Sequence, residues 1–276
     1  MGLGRRLHAA AGRLRHLGGA FRDHLERPSQ AGQGVIVRKA FAAILLLLYC
    51  APARAQQKTV RFNTRDGCRI EAAYLAPASS GAFVFINTHG LGSAKYEWGP
   101  LQDALKKRGY GYLSLDMRGH GQSKTCGGKT ADYKTFTKAD WSKVSLDIEA
   151  AAAFLKKNGT APGRIIFCGA SIGANLSLKA AAEGRIKPRA LVLLSPGLDY
   201  AGVRAGDFLP DSKQVKLLIS AAADDTYAWR SGGQLTQQAR GKDLPAAFLD
   251  GGSGHGANMF TTPATIPAIL AWAAGL

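Results

Sequence analysis

The stretch "RIIFCGASIGANLSL", residues 164–178, has a lone serine where a strand pattern becomes a helix pattern. Ile165, Ile166 and Phe167 are β-forming residues, and the residues after Ser171 follow a helical pattern. A glycine stands two residues before this serine and another two residues after it. Gly-x-Ser-x-Gly at such a junction forces a tight turn from which the serine hydroxyl projects outward. Ser171 is therefore a candidate nucleophile, the alternative being an ordinary turn that contains a serine.

Strand and helix patterns alternate from residue 58 onward. The predicted strands are 58–63, 68–75, 82–88, 110–116, 164–169, 190–195, 215–220 and 245–249. The turn sequence Arg65-Asp66-Gly67 predicts a hairpin between the first two. Helical patterns begin near Trp98, after Ser171, near Tyr227 and at residue 264. A further helix is predicted by apolar residues that share one face, namely Trp141, Val144, Ile148, Ala152 and Leu155. This alternation predicts an α/β fold, with a mostly parallel sheet of about eight strands and helices on both faces.

Residues that could activate a serine follow other predicted strands. Asp224 and Asp225 come after the strand "KLLIS", and His255 comes after "AAFLD" in "GGSGHG". Sheets of this kind carry their functional sites at the carboxyl ends of the strands, so these residues are expected on one edge with Ser171. A serine hydroxyl needs an adjacent base, and that base needs an acid to orient it.

Two backbone N–H groups are predicted to form an oxyanion hole. Ile172 begins the helix after Ser171, where the helix dipole also favours negative charge. The second donor is assigned to Leu91, in the loop "THGLGSAKYEW" after the strand "FVFIN". His89 in that loop either contacts substrate or packs the loop.

Residues 58–276 resemble the α/β-hydrolases of the serine esterase and lipase superfamily over nearly their whole length. The matching motifs are "HGLG", "DMRGHGQS" (116–123), "GASIG", the aspartate-bearing loop after "KLLIS", and "GSGHG". The resemblance implies a catalytic triad of Ser171, Asp225 and His255, in the order serine, acid, histidine. It also implies that His120 is a structural turn residue. The sequence shows no metal-ligand spacing, Walker loop or dinucleotide fingerprint, so no metal or cofactor is expected.

Two adjacent aspartates compete for the role of the acid. Asp224 stands where a short loop after the strand would place it. Asp225 is followed by Thr226 and Tyr227, which is closer to the pattern of the resembled family, whereas Asp224 is followed by a second charge. We predict that Asp225 is the acid and that Asp224 is a solvated or loop-capping residue.

The resemblance implies an enzyme that cleaves carboxylic esters, either small or attached to a polymer. A peptidase, a thioesterase or an acyltransferase would use the same residues, and a non-catalytic binding relative is a further alternative. Many members of the resembled family insert a helical lid where this chain has only about twenty residues, between the strands at 190–195 and 215–220. We therefore predict that the fold has no lid domain, that the site is open to solvent, and that short acyl chains are preferred.

The N-terminal 55 residues carry the features of an export signal. In "VRKAFAAILLLLYCAPARA", residues 37–55, two basic residues precede an apolar run from Ala40 to Cys50. The small-x-small sequence Ala53-Arg54-Ala55 follows, as signal peptidase requires. The run is about ten residues long, whereas a membrane span needs about twenty. The sequence predicts cleavage after Ala55 and export to the periplasm or medium. This cleavage site divides the chain into an extension with signal peptide (1–55) and a catalytic domain (56–276). After cleavage, the catalytic domain is not expected to insert stably into a membrane.

Alternatives for this region are weaker. Cys50 could be a lipoprotein cysteine, but the bulky Tyr49 precedes it. The Arg5-Arg6 pair is more than thirty residues from the apolar run, too far for twin-arginine export. Residues 1–34 form either a basic amphipathic helix or a stretch upstream of the true start, near Val35 or Val37.

Charge and cysteine content limit the expected binding partners and the possible disulfides. The 276-residue chain has a net charge of +17, and residues 56–276 carry 27 Lys and Arg against 17 Asp and Glu. No basic run is interleaved with aromatic residues, so nucleic acid is not an expected partner. We expect the basic residues to form an ordinary solvated surface. Cys68, Cys126 and Cys168 allow one disulfide, and Cys168 is predicted to be a buried thiol because its strand is apolar.

Overall fold

A computed structural model of the protein describes residues 56–276, and the predictions for residues 1–55 lie outside this range. All eight predicted strands are present, each within two residues of its predicted ends. The strands are β1 (Lys58–Asn63), β2 (Cys68–Leu75), β3 (Val84–Thr88), β4 (Gly111–Asp116), β5 (Thr125–Cys126), β6 (Lys129–Thr130), β7 (Ile165–Ala170), β8 (Ala190–Leu194), β9 (Asp199–Tyr200), β10 (Val203–Arg204), β11 (Lys216–Ala221) and β12 (Ala246–Asp250).

The central sheet is mixed and mostly parallel, as predicted. Its strand order is β12-β11-β8-β7-β3-β4-β2-β5-β6, with β1 paired to β2. The strands from β12 to β4 are parallel, whereas β1, β2, β5 and β6 form antiparallel pairs, including the predicted β1–β2 hairpin. The sheet has ten strands instead of about eight because β5 and β6 extend one edge. Each has only two residues, too few for an alternating sequence pattern.

Helices cover both faces of the sheet. They are α1 (Gly99–Lys107), α2 (Lys138–Lys143), α3 (Ser145–Lys157), α4 (Ile172–Glu183), α5 (Thr226–Gly241) and α6 (Thr265–Ala274). One core lies between the sheet and α3, α4 and α5, and the other lies between the sheet and α1 and α6. The arrangement puts the carboxyl ends of the parallel strands at one edge.

The helical pattern from Trp141 to Leu155 does not form the one continuous helix that the sequence predicts. The face from Trp141 to Leu155 is buried as expected, but it belongs to two helices, α2 and α3, which meet at Val144. The backbone N–H of Val144 donates to Trp141 O, and that of Asp147 donates to Val144 O, both at 3.0 Å. These bonds span three residues, so the backbone tightens there and the α-helical ladder is interrupted.

Residues 56–276 include three cysteines, two of which are bonded to each other. Cys68 of β2 and Cys126 of β5 are joined by a disulfide, and Cys168 is a free, fully buried thiol. Within this part of the chain, no helix combines the length and apolar character that a membrane crossing needs.

Candidate active site

Ser171 occupies a strained turn between β7 and α4. Its backbone angles are φ 55° and ψ −125°, a conformation that costs energy for any residue with a side chain. The turn is held in place because the N–H of Ser171 donates to Leu194 O, at the end of β8, at 2.8 Å. Strain that the surroundings enforce is typical of a functional position.

The two flanking glycines are required by close backbone packing. A methyl group on Gly169 would lie 2.2 Å from Gly173 O, and one on Gly173 would lie 2.3 Å from Thr88 O. Thr88 ends β3, so β3, β7 and α4 meet here without room for a Cβ. Any side chain at either glycine would push Ser171 out of position.

His255 and Asp225 form a close pair on the same edge of the sheet. His255 Nδ1 lies 2.5 Å from Asp225 Oδ2, and because a carboxylate only accepts, Nδ1 carries the hydrogen. The other carboxylate oxygen of Asp225 accepts from the N–H of Ala228 at 3.2 Å and caps α5. The His255 side chain is 44% exposed, so solvent reaches the imidazole.

Asp224 lies beside this pair but has different partners. Its carboxylate accepts from the Ser253 hydroxyl at 2.6 Å and from the N–H of Gly254 at 3.0 Å. The hydrogen bond from Ser253 is the main reason that the pKa of Asp224 is lowered. Asp224 therefore ties down the loop that carries His255 and does not contact the imidazole itself.

The loops on either side of Ser171 approach it closely. A methyl group on Gly256 would be 3.3 Å from Ala170 Cβ and 3.9 Å from the Ser171 nitrogen. A methyl group on Gly90 would be 3.5 Å from Ser171 Cβ. The structure thus brings together Ser171, the loop of His255 and the loop of Leu91.

Three amides of the loop after β3 are used within the protein. The N–H of Gly90 donates to Glu97 Oε1 at 3.1 Å, that of Gly92 to His120 Nε2 at 3.4 Å, and that of Ser93 to Gly90 O at 3.2 Å. Leu91 N–H has no acceptor among residues 56–276. Ile172 is the first residue of α4, so its N–H has no intrahelical acceptor. Both predicted oxyanion donors are therefore available to a ligand.

His89 and His120 support the loop from below. His89 is fully buried, accepts from Met117 N–H at Nε2 and donates from Nδ1 to Gly90 O. Burial lowers its pKa to about 3, so it stays neutral. His120 stacks on Tyr133 with ring centroids 4.0 Å apart and contacts the loop through Gly92. Of the two roles considered for His89, packing the loop is the one that this geometry fits.

Sequence reasoning missed two residues at the site. Tyr200, in β9, has its ring centroid 6.4 Å from that of His255, in an edge-to-face arrangement. It could have been found, because it follows β8 at the same edge of the sheet. Glu97 has a pKa raised by burial, and its Oε1 accepts from the N–H of Gly90 in the oxyanion loop. No pattern in the sequence distinguishes this glutamate from a surface residue.

The described residues offer no obvious place for a metal. Within residues 56–276, no group of three or more His, Cys, Asp or Glu side chains is arranged to hold an ion. The residues gathered at this edge are instead a hydroxyl, an imidazole, a carboxylate and two backbone N–H groups. These are the components needed for acyl transfer through a serine nucleophile.

The family model described as "Serine aminopeptidase, S33" matches residues 79–224, more than half of the chain. The chain therefore belongs to this family of α/β-hydrolases. The match includes Ser171, Ile172 and Leu91, ends directly before Asp225 and does not reach His255. Among curated protein sequences, none matches this chain significantly.

Solved structures show the same fold. An esterase of Pyrococcus furiosus has a TM-score of 0.61 at 19% identity, covering 78% of this chain and 90% of the esterase. An esterase of Exiguobacterium antarcticum has a TM-score of 0.61 at 13% identity, over 78% of this chain and 99% of its own. Dipeptidyl peptidase 4 of Porphyromonas gingivalis has a TM-score of 0.55 at 17% identity, over 71% of this chain and 32% of the peptidase. The predicted α/β-hydrolase fold is confirmed.

Proposed function

We propose that the protein is an exported serine hydrolase that cleaves carboxylic esters through an acyl-enzyme on Ser171. The observation that carries this proposal is the 2.5 Å contact between His255 Nδ1 and Asp225 Oδ2, on the edge of the sheet where Ser171 occupies its strained turn. A neutral imidazole whose Nδ1–H is fixed in this way has its lone pair on Nε2, which can accept a proton from serine.

The proposed reaction has two halves. Ser171 Oγ attacks the ester carbonyl while His255 Nε2 takes its proton, and the N–H groups of Leu91 and Ile172 donate to the oxyanion. The bond to the alcohol then breaks, and His255 returns the proton to the leaving oxygen. Water attacks the acyl-enzyme by the same path and releases the acid. Asp225 keeps the tautomer of His255 correct throughout.

The family description makes an aminopeptidase the second candidate. Such an enzyme must bind the substrate's α-ammonium group, which calls for an ionised carboxylate near Ser171 that other donors do not already hold. Glu97 is the acid nearest the oxyanion loop, but its Oε1 already accepts from Gly90 N–H and burial raises its pKa. Asp224 is likewise engaged with Ser253 and Gly254. These hydrogen bonds favour an uncharged ester as the substrate over a peptide with a free N-terminus.

Substrate size is proposed from the segment between β8 and β11. In residues 195–215 the chain forms the short hairpin β9–β10 and a 3-10 turn at Ala205–Phe208. A segment of this size offers little apolar surface to enclose a long acyl chain. We expect p-nitrophenyl acetate and butyrate to be hydrolysed at least tenfold more efficiently than the palmitate ester, measured as kcat/KM, with no rate increase at an oil–water interface.

The same assay includes amino-acid p-nitroanilides, with Ser171→Ala protein as the blank. We expect these anilides to be cleaved far more slowly than the short esters. Faster cleavage of alanine p-nitroanilide than of the acetate ester would favour the aminopeptidase. Preference for palmitate emulsions would contradict the proposed substrate size.

Export is proposed from the residues 37–55 pattern and is supported by the Cys68–Cys126 disulfide, since such bonds persist mainly in oxidising compartments. Expression of the full chain in a secreting host is expected to yield exported protein that begins at Gln56, as read by N-terminal sequencing. An exported protein that retains Leu3, or a lipid adduct on Cys50, would contradict signal cleavage after Ala55.

A further inference from the structure

Tyr200 is fixed beside His255 by contacts that determine the position of its ring. The ring lies against Gly197, where an added methyl group would be 2.6 Å from Cε2 and Cζ of the tyrosine. Its centroid is 5.7 Å from that of Tyr227, in an edge-to-face arrangement. The Tyr227 hydroxyl in turn lies 3.2 Å from Asp199 O and 3.3 Å from Asp199 N, next to Tyr200 in the chain.

The helix that begins after the nucleophile also holds this segment. Asn175 of α4 is fully buried, and its Nδ2 donates to Gly197 O at 2.9 Å and to Val203 O at 2.8 Å. Its Oδ1 accepts from the N–H of Gly197 at 3.2 Å. One side chain therefore fixes both ends of the loop that carries Tyr200, and it does so from the first turn of the helix that positions Ser171.

The hydroxyl of Tyr200 makes one weak hydrogen bond within the described part of the chain. Its contact with Ser195 O is at 3.5 Å, the outer limit for a hydrogen bond. Burial raises the pKa of Tyr200 to about 12, helped by the nearby Asp225 and Tyr227. The phenol thus keeps its proton at any ordinary working pH and can donate it in a hydrogen bond.

The order of strands places Tyr200 on the leaving-group side of the site. β7, which ends at the nucleophile, lies between β3 and β8. The loop of Leu91 follows β3, so the oxyanion is expected on that side, whereas Tyr200 follows β8 and faces the ring of His255. The leaving oxygen receives its proton from His255 and must therefore depart close to Tyr200.

We propose that the Tyr200 hydroxyl donates a hydrogen bond to the leaving-group oxygen of the ester as the bond between that oxygen and the acyl carbon breaks. The electron pair of the broken bond goes to the leaving oxygen, the proton comes from His255, and Tyr200 keeps its own proton. This role rests on the proposed function and adds to it a residue that selects for poor leaving groups. An alkoxide carries concentrated charge and needs the hydrogen bond, whereas p-nitrophenolate spreads its charge over the ring.

The test compares ethyl acetate with p-nitrophenyl acetate for the wild type, Tyr200→Phe and Tyr110→Phe. Both esters give the same acetyl-enzyme, and kcat/KM reports the steps up to its formation. We expect Tyr200→Phe to lose about tenfold in kcat/KM on ethyl acetate, the value of one hydrogen bond, and less than twofold on p-nitrophenyl acetate. Tyr110→Phe is the matched control, because Tyr110 directly precedes β4, at the amino ends of the parallel strands and away from the site, and the ratio of its two kcat/KM values should equal that of the wild type.

The ratio of the two kcat/KM values does not depend on how much of the variant is folded, so partial unfolding cannot imitate the expected result. Equal losses on both esters for Tyr200→Phe would overturn the leaving-group role and would leave the serine hydrolase intact. A wild-type protein that cleaves neither ester would instead overturn the proposed function and this role with it.

Discussion

Replacing Ser171 with alanine is expected to lower kcat for short esters by a factor on the order of a thousand or more, because the members of a triad act as a unit. Without Oγ, no acyl-enzyme can form, and His255 and Asp225 have no proton to transfer. The fold should tolerate the change, because alanine keeps the Cβ and Ser171 N–H still donates to Leu194 O. The measurement is kcat on p-nitrophenyl acetate, with circular dichroism and Tm recorded on the same preparation.

The control for this variant is Ser231→Ala. Ser231 is a buried serine of α5, and within the described part of the chain its hydroxyl has no hydrogen-bond partner. Its removal should leave kcat unchanged. Ser171→Ala protein that keeps its turnover and its fold would end the assignment of Ser171 as the nucleophile.

Asp225→Asn is expected to lower kcat by about a hundredfold or more, because an amide at this place can turn its NH₂ toward His255 and hold the wrong tautomer. The carboxylate now accepts from His255 Nδ1–H at 2.5 Å, which leaves Nε2 free to act as the base. The expected loss is in kcat with little effect on Tm. It is measured on p-nitrophenyl acetate beside the wild type.

Asp224→Asn is the matched comparison, one residue away. Asp224 holds the loop of His255 through Ser253 and Gly254, and an asparagine side-chain oxygen can still accept from these donors. We expect only a small loss of kcat. A large loss for Asp224→Asn together with a small loss for Asp225→Asn would transfer the role of the acid to Asp224.

The sequence predicted the sheet well because most long strands are apolar runs ended by turn residues, and β1 alternates polar and apolar residues. The rule that function lies at the carboxyl ends of parallel strands then put Ser171, Asp225 and His255 on one edge, and the structure has them there. Gly-x-Ser-x-Gly indicated a tight turn, and the clash distances at Gly169 and Gly173 give the reason. Local pattern and topology were sufficient for these features.

Other features depend on contacts between distant residues. The break between α2 and α3 at Val144 leaves the buried face unchanged, so periodicity could not reveal it. Tyr200 reaches the site because the buried Asn175 holds its loop from α4. Glu97 reaches the oxyanion loop through a hydrogen bond to a backbone amide. Side chains of these types are common in loops and helices, and only the folded chain shows what they contact.

The most direct test of the account is the labelling of residues 56–276, and of their Ser171→Ala variant, with a fluorophosphonate probe that reacts with activated serines. Peptide mass spectrometry then locates the adduct. We expect one adduct, on the peptide that contains Ser171, and no labelling of the variant. Ester hydrolysis by a protein that carries no adduct at Ser171, or an adduct that persists in Ser171→Ala, would contradict it.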